Sequence, residues 1–257
     1  MEGSMRLQGK VAVVTGAGSG MGEAIARLFA AEGAKVIAAD INKANLDAVT
    51  AEIKRDGGEA TGVAANVAIR DEAENIIRAA VTAHGSLDIL VNNAGIMDNV
   101  EPVGDLSDEQ WERVMGVNLK GPFMACRAAV NIMREQHNGG VIVNNASIGG
   151  LFGARGGAAH VMSKHGLIGL TKNIASTYGR EGGNIRANAI ATGAVKTNIQ
   201  SAMTAPNALG LAAIGDTGPM KAANPMEIAH IALFLASDDA SFINGAVITA
   251  DGGWTAR

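Results

Sequence analysis

Short apolar runs rich in Val, Ile and Ala recur along the chain, separated by longer stretches whose apolar residues fall every three or four positions. The runs at 11–15, 35–39, 60–64, 89–91, 140–145, 185–190 and 246–249 have the length of buried strands. The stretches 21–32, 43–56, 71–84, 107–135, 158–180 and 225–235 have helical spacing. Ser107-Asp-Glu-Gln110 has the spacing of a reciprocal cap, and Pro225 suits a first helical position. Strands that are apolar on both faces and alternate with helices pair in parallel. Right-handed crossovers then wind them into one α/β, doubly wound Rossmann-type domain of about seven strands, with helices on both faces. Only 191–224, rich in Thr, Gly, Ala and Met, lacks clear periodicity. A long irregular segment inside a compact domain is more often a lid or substrate loop than a linker, and 192–224 is read as the substrate loop.

Composition narrows the picture. The 257 residues are 47% hydrophobic, 18% charged and 3% aromatic, with 34 Gly and 11 Met, which favours close helix-on-sheet packing over an all-β sandwich. With no Pro/Ser-rich divide, a single domain over 5–257 is expected. Met1–Ser4, ahead of Met5, has the look of a cloning remnant and is left out of the fold. A net charge of −4 gives no electrostatic case for a nucleic-acid partner. Cys126 stands alone, so an intrachain disulfide and a multi-cysteine metal site are excluded. No apolar run approaches membrane-spanning length and no signal segment opens the chain, so no membrane association and a cytoplasmic protein are expected. His84, His137, His165 and His230 lack ligand spacing, and no metal is expected.

Two features at a suggestive separation point to a nucleotide. The first strand runs straight into Gly16-Ala-Gly18-Ser19-Gly20-Met21-Gly22, ahead of a helix. Glycines there permit a tight turn and close backbone approach, and the helix start offers free N–H groups to a pyrophosphate. Asp40 ends the second strand, eighteen residues past Gly22, where a carboxylate can accept hydrogen bonds from a ribose. The same carboxylate repels a 2′-phosphate, and neither Ser19 nor Ile41 supplies a cation to attract one, so NAD is expected over NADP.

Asn144-Asn145-Ala146-Ser147 is followed by His160-Val-Met-Ser-Lys164, and on a helix His160 and Lys164 share one face. Taken with Thr15-Gly-x-x-x-Gly20-x-Gly22, Asn92-Asn93-Ala94-Gly95 and Asn118 in Val117-Asn-Leu-Lys, this resembles the short-chain dehydrogenase/reductase family over almost the whole chain. The resemblance implies a hydride-transferring oxidoreductase acting on a secondary alcohol or carbonyl compound, assembled as a homotetramer. It implies that Asn118 kinks its helix to hold a relay water, that Ser147 bonds the substrate oxygen, and that Lys164 binds the nicotinamide ribose. It further implies a cofactor site of Gly16, Ser19, Gly20, Met21, Gly22, Asp40, Asn66, Val67, Asn93, Ala94, Gly95, Lys164, Gly193, Val195 and Thr197.

Four positions depart from the family pattern. Asn66-Val67 replaces an Asp-hydrophobic pair, Thr192-Gly193 replaces Pro-Gly, and Asn244-Gly245 replaces Thr-Gly. The fourth is His160, where the family has its catalytic tyrosine. Beside the Lys164 ammonium a neutral imidazole should dominate at pH 7, the correct form for accepting a proton from an alcohol but a poor donor to a ketone. Its nitrogens also reach roughly 2 Å less far than a phenol oxygen, and about 1 Å of misplacement costs on the order of a hundredfold.

The expected function is therefore an NAD-dependent oxidoreductase weakened or redirected at His160, with Asn118, Ser147, His160 and Lys164 as its catalytic set. Alternatives are a cofactor-binding protein disabled at that position and a reductase of carrier-bound 3-oxoacyl groups. Ile148, Phe152, Ala154 and Met203, with Leu209, Leu211 and Met220, are the candidate substrate lining. The loop carries few charges, Lys196, Asp216 and Lys221, which suggests a small or medium, mostly apolar substrate.

Overall fold

A computed structural model of the chain describes residues 5–136, 138–179, 183–199, 203–218 and 221–256. Met1–Ser4, His137, Arg180 and Met220, named above, lie outside them. Seven parallel strands form one sheet in the order β3-β2-β1-β4-β5-β6-β7. They are β1 (Val11–Thr15), β2 (Lys35–Asp40), β3 (Glu59–Ala64), β4 (Ile89–Asn92), β5 (Gly140–Asn145), β6 (Ile185–Thr192) and β7 (Val247–Ala250). Alternation along the strands sends side chains into two cores. Ala12 and Val14 of β1, with Val36 and Ala38 of β2, face one core, while Val11, Val13, Ile37 and Ala39 face the other. The first core is covered by α1 (Gly20–Ala31), α2 (Lys43–Arg55) and α8 (Pro225–Ala236), the second mainly by α3 (Arg70–His84), α5 (Gly121–Glu135) and part of α6 (Ala158–Tyr178).

Because every strand runs the same way, Thr15, Asp40, Asn92, Asn145 and Thr192 all end at one edge of the sheet. The order reverses between β1 and β4, and a crevice opens there, as it does in doubly wound sheets.

Three expectations change. The single helix at 107–135 is two helices, α4 (Asp108–Met115) and α5, joined through a π-helical segment at Gly116–Lys120 that contains Asn118. Only half of the cap at Ser107 forms: its Oγ accepts the Gln110 N–H, while Gln110 Oε1 is taken by Arg113. A full reciprocal cap forms instead at Asn224 and Glu227, just ahead of Pro225 and within α8. The irregular loop also contains a helix, α7 (Ala208–Gly215), capped by Asn207. Among the described residues, no helix is long and apolar enough to cross a membrane.

Candidate functional site

The glycine loop is built for close approach. Gly16 and Gly20 have φ of 67° and 57°, which a side chain would strain. A Cβ on Gly22 would lie 2.0 Å from the Gly16 carbonyl oxygen, so α1 can start this close to β1 only without one. The Thr15 hydroxyl accepts the N–H groups of Asn93 (3.0 Å) and Ala94 (3.1 Å), and Asn93 Nδ2 donates to the Thr15 carbonyl. These bonds tie the ends of β1 and β4 across the switch point. Asp40 closes the loop from the other side: its carboxylate accepts Gly18 N–H at 2.9 Å and Asn42 N–H at 2.8 Å.

Around this frame lies a cleft of about 360 Å³ lined by Gly16, Ser19, Gly20, Met21, Asp40, Asn66, Val67, Asn93, Ala94, Gly95 and Thr197. Among the described residues, no Lys or Arg lines it. It runs into a second cavity of about 480 Å³, the two sharing Met21, Asn93, Gly95, Thr197 and Ile199. Backbone shaped for a pyrophosphate, a carboxylate at ribose depth and an elongated two-part crevice fit a dinucleotide. Of the residues expected at the cofactor, Gly22 shapes the turn without lining either cavity, and Gly193 and Val195 line the second.

That second cavity gathers Ser147, His160 and Lys164. Ser147 stands just beyond β5, where its Oγ accepts the Gly149 N–H at 3.0 Å. His160 and Lys164 lie one turn apart on the buried face of α6, 4% and 6% exposed. Lys164 Nζ donates to the Asn145 carbonyl at 2.9 Å, and burial brings its pKa down to about 8. Burial, then the neighbouring Lys164 charge, lowers His160 to about 4 against the opposing pull of Asp98, so its ring is neutral at pH 7. His160 Nδ1 is buried without a hydrogen-bond partner.

Asn118 is fully buried and lines neither cavity. Its side chain accepts the Ile96 N–H and donates to the Ile96 carbonyl, both at 2.9 Å, and also reaches Ser163 Oγ at 3.3 Å. It therefore clamps the chain leaving Gly95 to the helix that carries His160.

Asp98, which sequence reasoning missed, holds the start of α6. The helix begins at Gly157, which has no side chain to cap it. Asp98, fully buried, accepts Gly157 N–H and His160 N–H, both at 2.9 Å, and also Val100 N–H at 3.0 Å. A Cβ on Gly157 would lie 2.5 Å from the carboxylate, so the glycine and the aspartate form one device. No local pattern marks it, since the cap comes from a loop far away in sequence.

The substrate lining changes as well. Ile148, Met203 and Leu211 line the second cavity, but Phe152, Ala154 and Leu209 do not. A 3₁₀ turn at Ile148–Gly150 carries the chain away, leaving Phe152 43% exposed and Ala154 at a left-handed φ of 50°. Arg155 and Trp254 occupy the wall instead, the Arg155 guanidinium 4.5 Å from the centre of the Trp254 ring. The wall is thus more polar than the loop sequence suggests.

A family model described as enoyl-(acyl carrier protein) reductase matches residues 16–255. The chain is 44% identical to 3beta-hydroxysteroid dehydrogenase 2 of Eggerthella lenta, over 97% of this chain and 96% of the relative. It is 41% identical to the 3-oxoacyl-[acyl-carrier-protein] reductase FabG of Thermotoga maritima, over 97% and 99%. Its fold superposes, with a TM-score of 0.87 and 38% identity over 99% and 100% of the two chains, on a Beutenbergia cavernae protein described as a putative NAD(P)-dependent gluconate 5-dehydrogenase, solved with NADP at low occupancy. With this crevice, these motifs and these relatives, the chain belongs to the short-chain dehydrogenase/reductase family of oxidoreductases, whose cofactor is a nicotinamide dinucleotide.

Proposed function

We propose that the protein interconverts a secondary alcohol and a carbonyl compound with NAD(H), in a form weakened or redirected by His160. The observation that carries this reading is a single crevice that joins the glycine loop and Asp40 to Ser147, His160 and Lys164. When bound there, the nicotinamide supplies or takes up the hydride.

The chain's own residues do the rest. Asp40 accepts hydrogen bonds from the adenosine ribose, and no cation lines that part of the crevice to hold a 2′-phosphate, which supports NAD over NADP. The relative with NADP bound is a reason to test this preference directly. Lys164 holds the nicotinamide ribose while fixed to the Asn145 carbonyl. Ser147 donates to the substrate oxygen, and in that state its hydroxyl can still accept the Gly149 N–H. His160, in the wall of the same cavity, exchanges the substrate proton. As a neutral ring it accepts a proton from an alcohol more readily than it gives one to a ketone, so oxidation is the less impaired direction.

The low pKa and sealed Nδ1 of His160 also favour a second reading, a cofactor-binding protein without turnover. The FabG relative keeps open a third, reduction of carrier-bound 3-oxoacyl groups. The homotetramer follows as part of the proposal, with exposed Phe123, Met162, Phe234 and Phe242 as apolar surface for its contacts, and so does a cytoplasmic location, where buried Cys126 stays a free thiol.

The testing experiment is an NADH absorbance assay on a panel of secondary alcohols and ketones, run on the wild type and on His160→Tyr. Turnover by both, faster with tyrosine, is expected. Tight NADH binding with no turnover by either protein would replace this proposal with the disabled reading.

A further inference from the structure

The cavity that holds Ser147, His160 and Lys164 has a strongly biased lining. Arg155 and Lys196 stand in its wall together with Lys164, and among the described residues neither Asp nor Glu lines it. The electrostatic character of the cavity is therefore positive, although the chain as a whole is acidic.

Arg155 is the informative member. It lies on the turn between Ser147 and α6, so it belongs to the same short segment as the reacting groups. Its guanidinium stacks on Trp254 at 4.5 Å, a contact that fixes the plane of the group. Nη1 donates to the Ala154 carbonyl at 3.1 Å, whereas Nε is buried with no partner. No carboxylate forms an ion pair with Arg155 among the described residues. Nε is sealed as His160 Nδ1 is, but among the described residues Nη2 has no partner, and a planar, oriented guanidinium in the cavity wall with Nη2 unpaired can donate to an oxyanion.

We infer that the substrate is anionic: a hydroxy or oxo compound bearing a carboxylate or phosphate, whose oxyanion is held by Arg155 while its carbinol or carbonyl group faces Ser147 and His160. The inference rests on the oxidoreductase reading of this cavity and deepens it by naming the substrate's charge. It departs from the expectation of a mostly apolar substrate, which considered only the charges of the loop at 192–224. Lys196, whose backbone is tied to the Ala223 carbonyl at 2.9 Å, adds a second cation to the same wall. Leu211 and Ile214 of α7, with Met203, provide the apolar cover over the carbon chain between the two polar ends.

The test uses the protein saturated with NADH and matched pairs of ligands that differ in charge. Calorimetric titrations compare 4-oxopentanoate with its methyl ester, and dihydroxyacetone phosphate with dihydroxyacetone. In at least one pair the anion should bind about tenfold or more tightly than its neutral partner, and the pair that shows the preference identifies carboxylate or phosphate. Arg155→Met should collapse that ratio to within about twofold, whereas Arg155→Lys should keep part of it. Equal binding of anion and neutral analogue in both pairs would overturn the inference, and so would an anion preference that survives in Arg155→Met, since Arg155 would then only brace Trp254. NADH oxidation in the same mixtures separates the two levels. Anion-selective binding without turnover supports this inference and counts against the oxidoreductase reading. Turnover of neutral ketones without anion preference does the reverse.

Discussion

The Asp98 carboxylate accepts the backbone N–H of His160 at 2.9 Å, across 62 residues of sequence. Through this bond a loop that leaves β4 sets the depth and angle at which α6 presents His160 and Lys164. The same carboxylate turns the chain at Val100, whose φ of 59° is strained for a β-branched residue, and the Val100 backbone in turn lies where a Cβ on Gly210 of α7 would collide, 1.8 Å from its carbonyl oxygen. One buried acid thus links the helix that carries His160 and Lys164 to α7, which lines the same cavity.

Asp98→Ala removes three hydrogen bonds to backbone donors, two of them at a helix start, and should lower unfolding free energy by roughly 2–3 kcal/mol. Urea denaturation at pH 7 measures this. Turnover should fall more than NADH affinity, because the glycine loop is untouched. Wild-type stability in Asp98→Ala would show that α6 does not depend on this cap.

Asp40→Ala should weaken NADH binding by about tenfold while changing NADPH binding far less, because the alanine removes both a ribose acceptor and a repulsion. Fluorescence titration with the two reduced nucleotides reads the ratio. Wild type already binding NADPH as tightly as NADH would contradict the assigned role.

Stability should depend on pH through His160. In the unfolded chain the ring takes up a proton near its ordinary value of 6.5, whereas in the folded chain burial and Lys164 hold it off until about 4. Protonation therefore favours unfolding: the contribution is fully present above 6.5 and is lost as pH falls through that window. Between pH 7 and pH 5 the loss should be about 2 kcal/mol, and His160→Gln should remove that part of the dependence. Guanidinium denaturation of both proteins at the two pH values decides it. Parallel losses in the two proteins would mean that other groups govern acid stability.

The parts of the site readable from sequence were those built within one segment. The glycine loop stands where a strand feeds a helix, Asp40 ends the next strand, and the spacing of His160 and Lys164 is one helical turn. The alternation of short apolar runs with longer helical stretches likewise announced the parallel sheet. What stayed hidden depends on contacts between distant segments. Asp98 caps a helix that starts 59 residues later, Trp254 comes from beyond the last strand to meet Arg155, and Phe152 is turned outward by a 3₁₀ turn that periodicity does not reveal. The break around Asn118 is a different case: the family resemblance implies a kinked helix there, but periodicity runs helical on both sides, and the side chain's bonds to Ile96 mark the π-helical segment.

The most direct measurement is a pH series of initial rates of carbonyl reduction for the wild type and His160→Tyr, with saturating NADH. Gly149 and Gly156 pack close against the His160 ring, where a Cβ would come within 3.2 and 2.7 Å of its Cδ2. At pH 7 the tyrosine form should turn over about a hundredfold faster, because it restores a positioned acid whose ionisation the Lys164 ammonium assists. The wild-type rate should climb as pH falls from 7 toward 5, following the growing imidazolium fraction, and the tyrosine form should not share that rise. A tyrosine form no faster than the wild type, with the same pH profile, would contradict the assignment of position 160 as the proton donor.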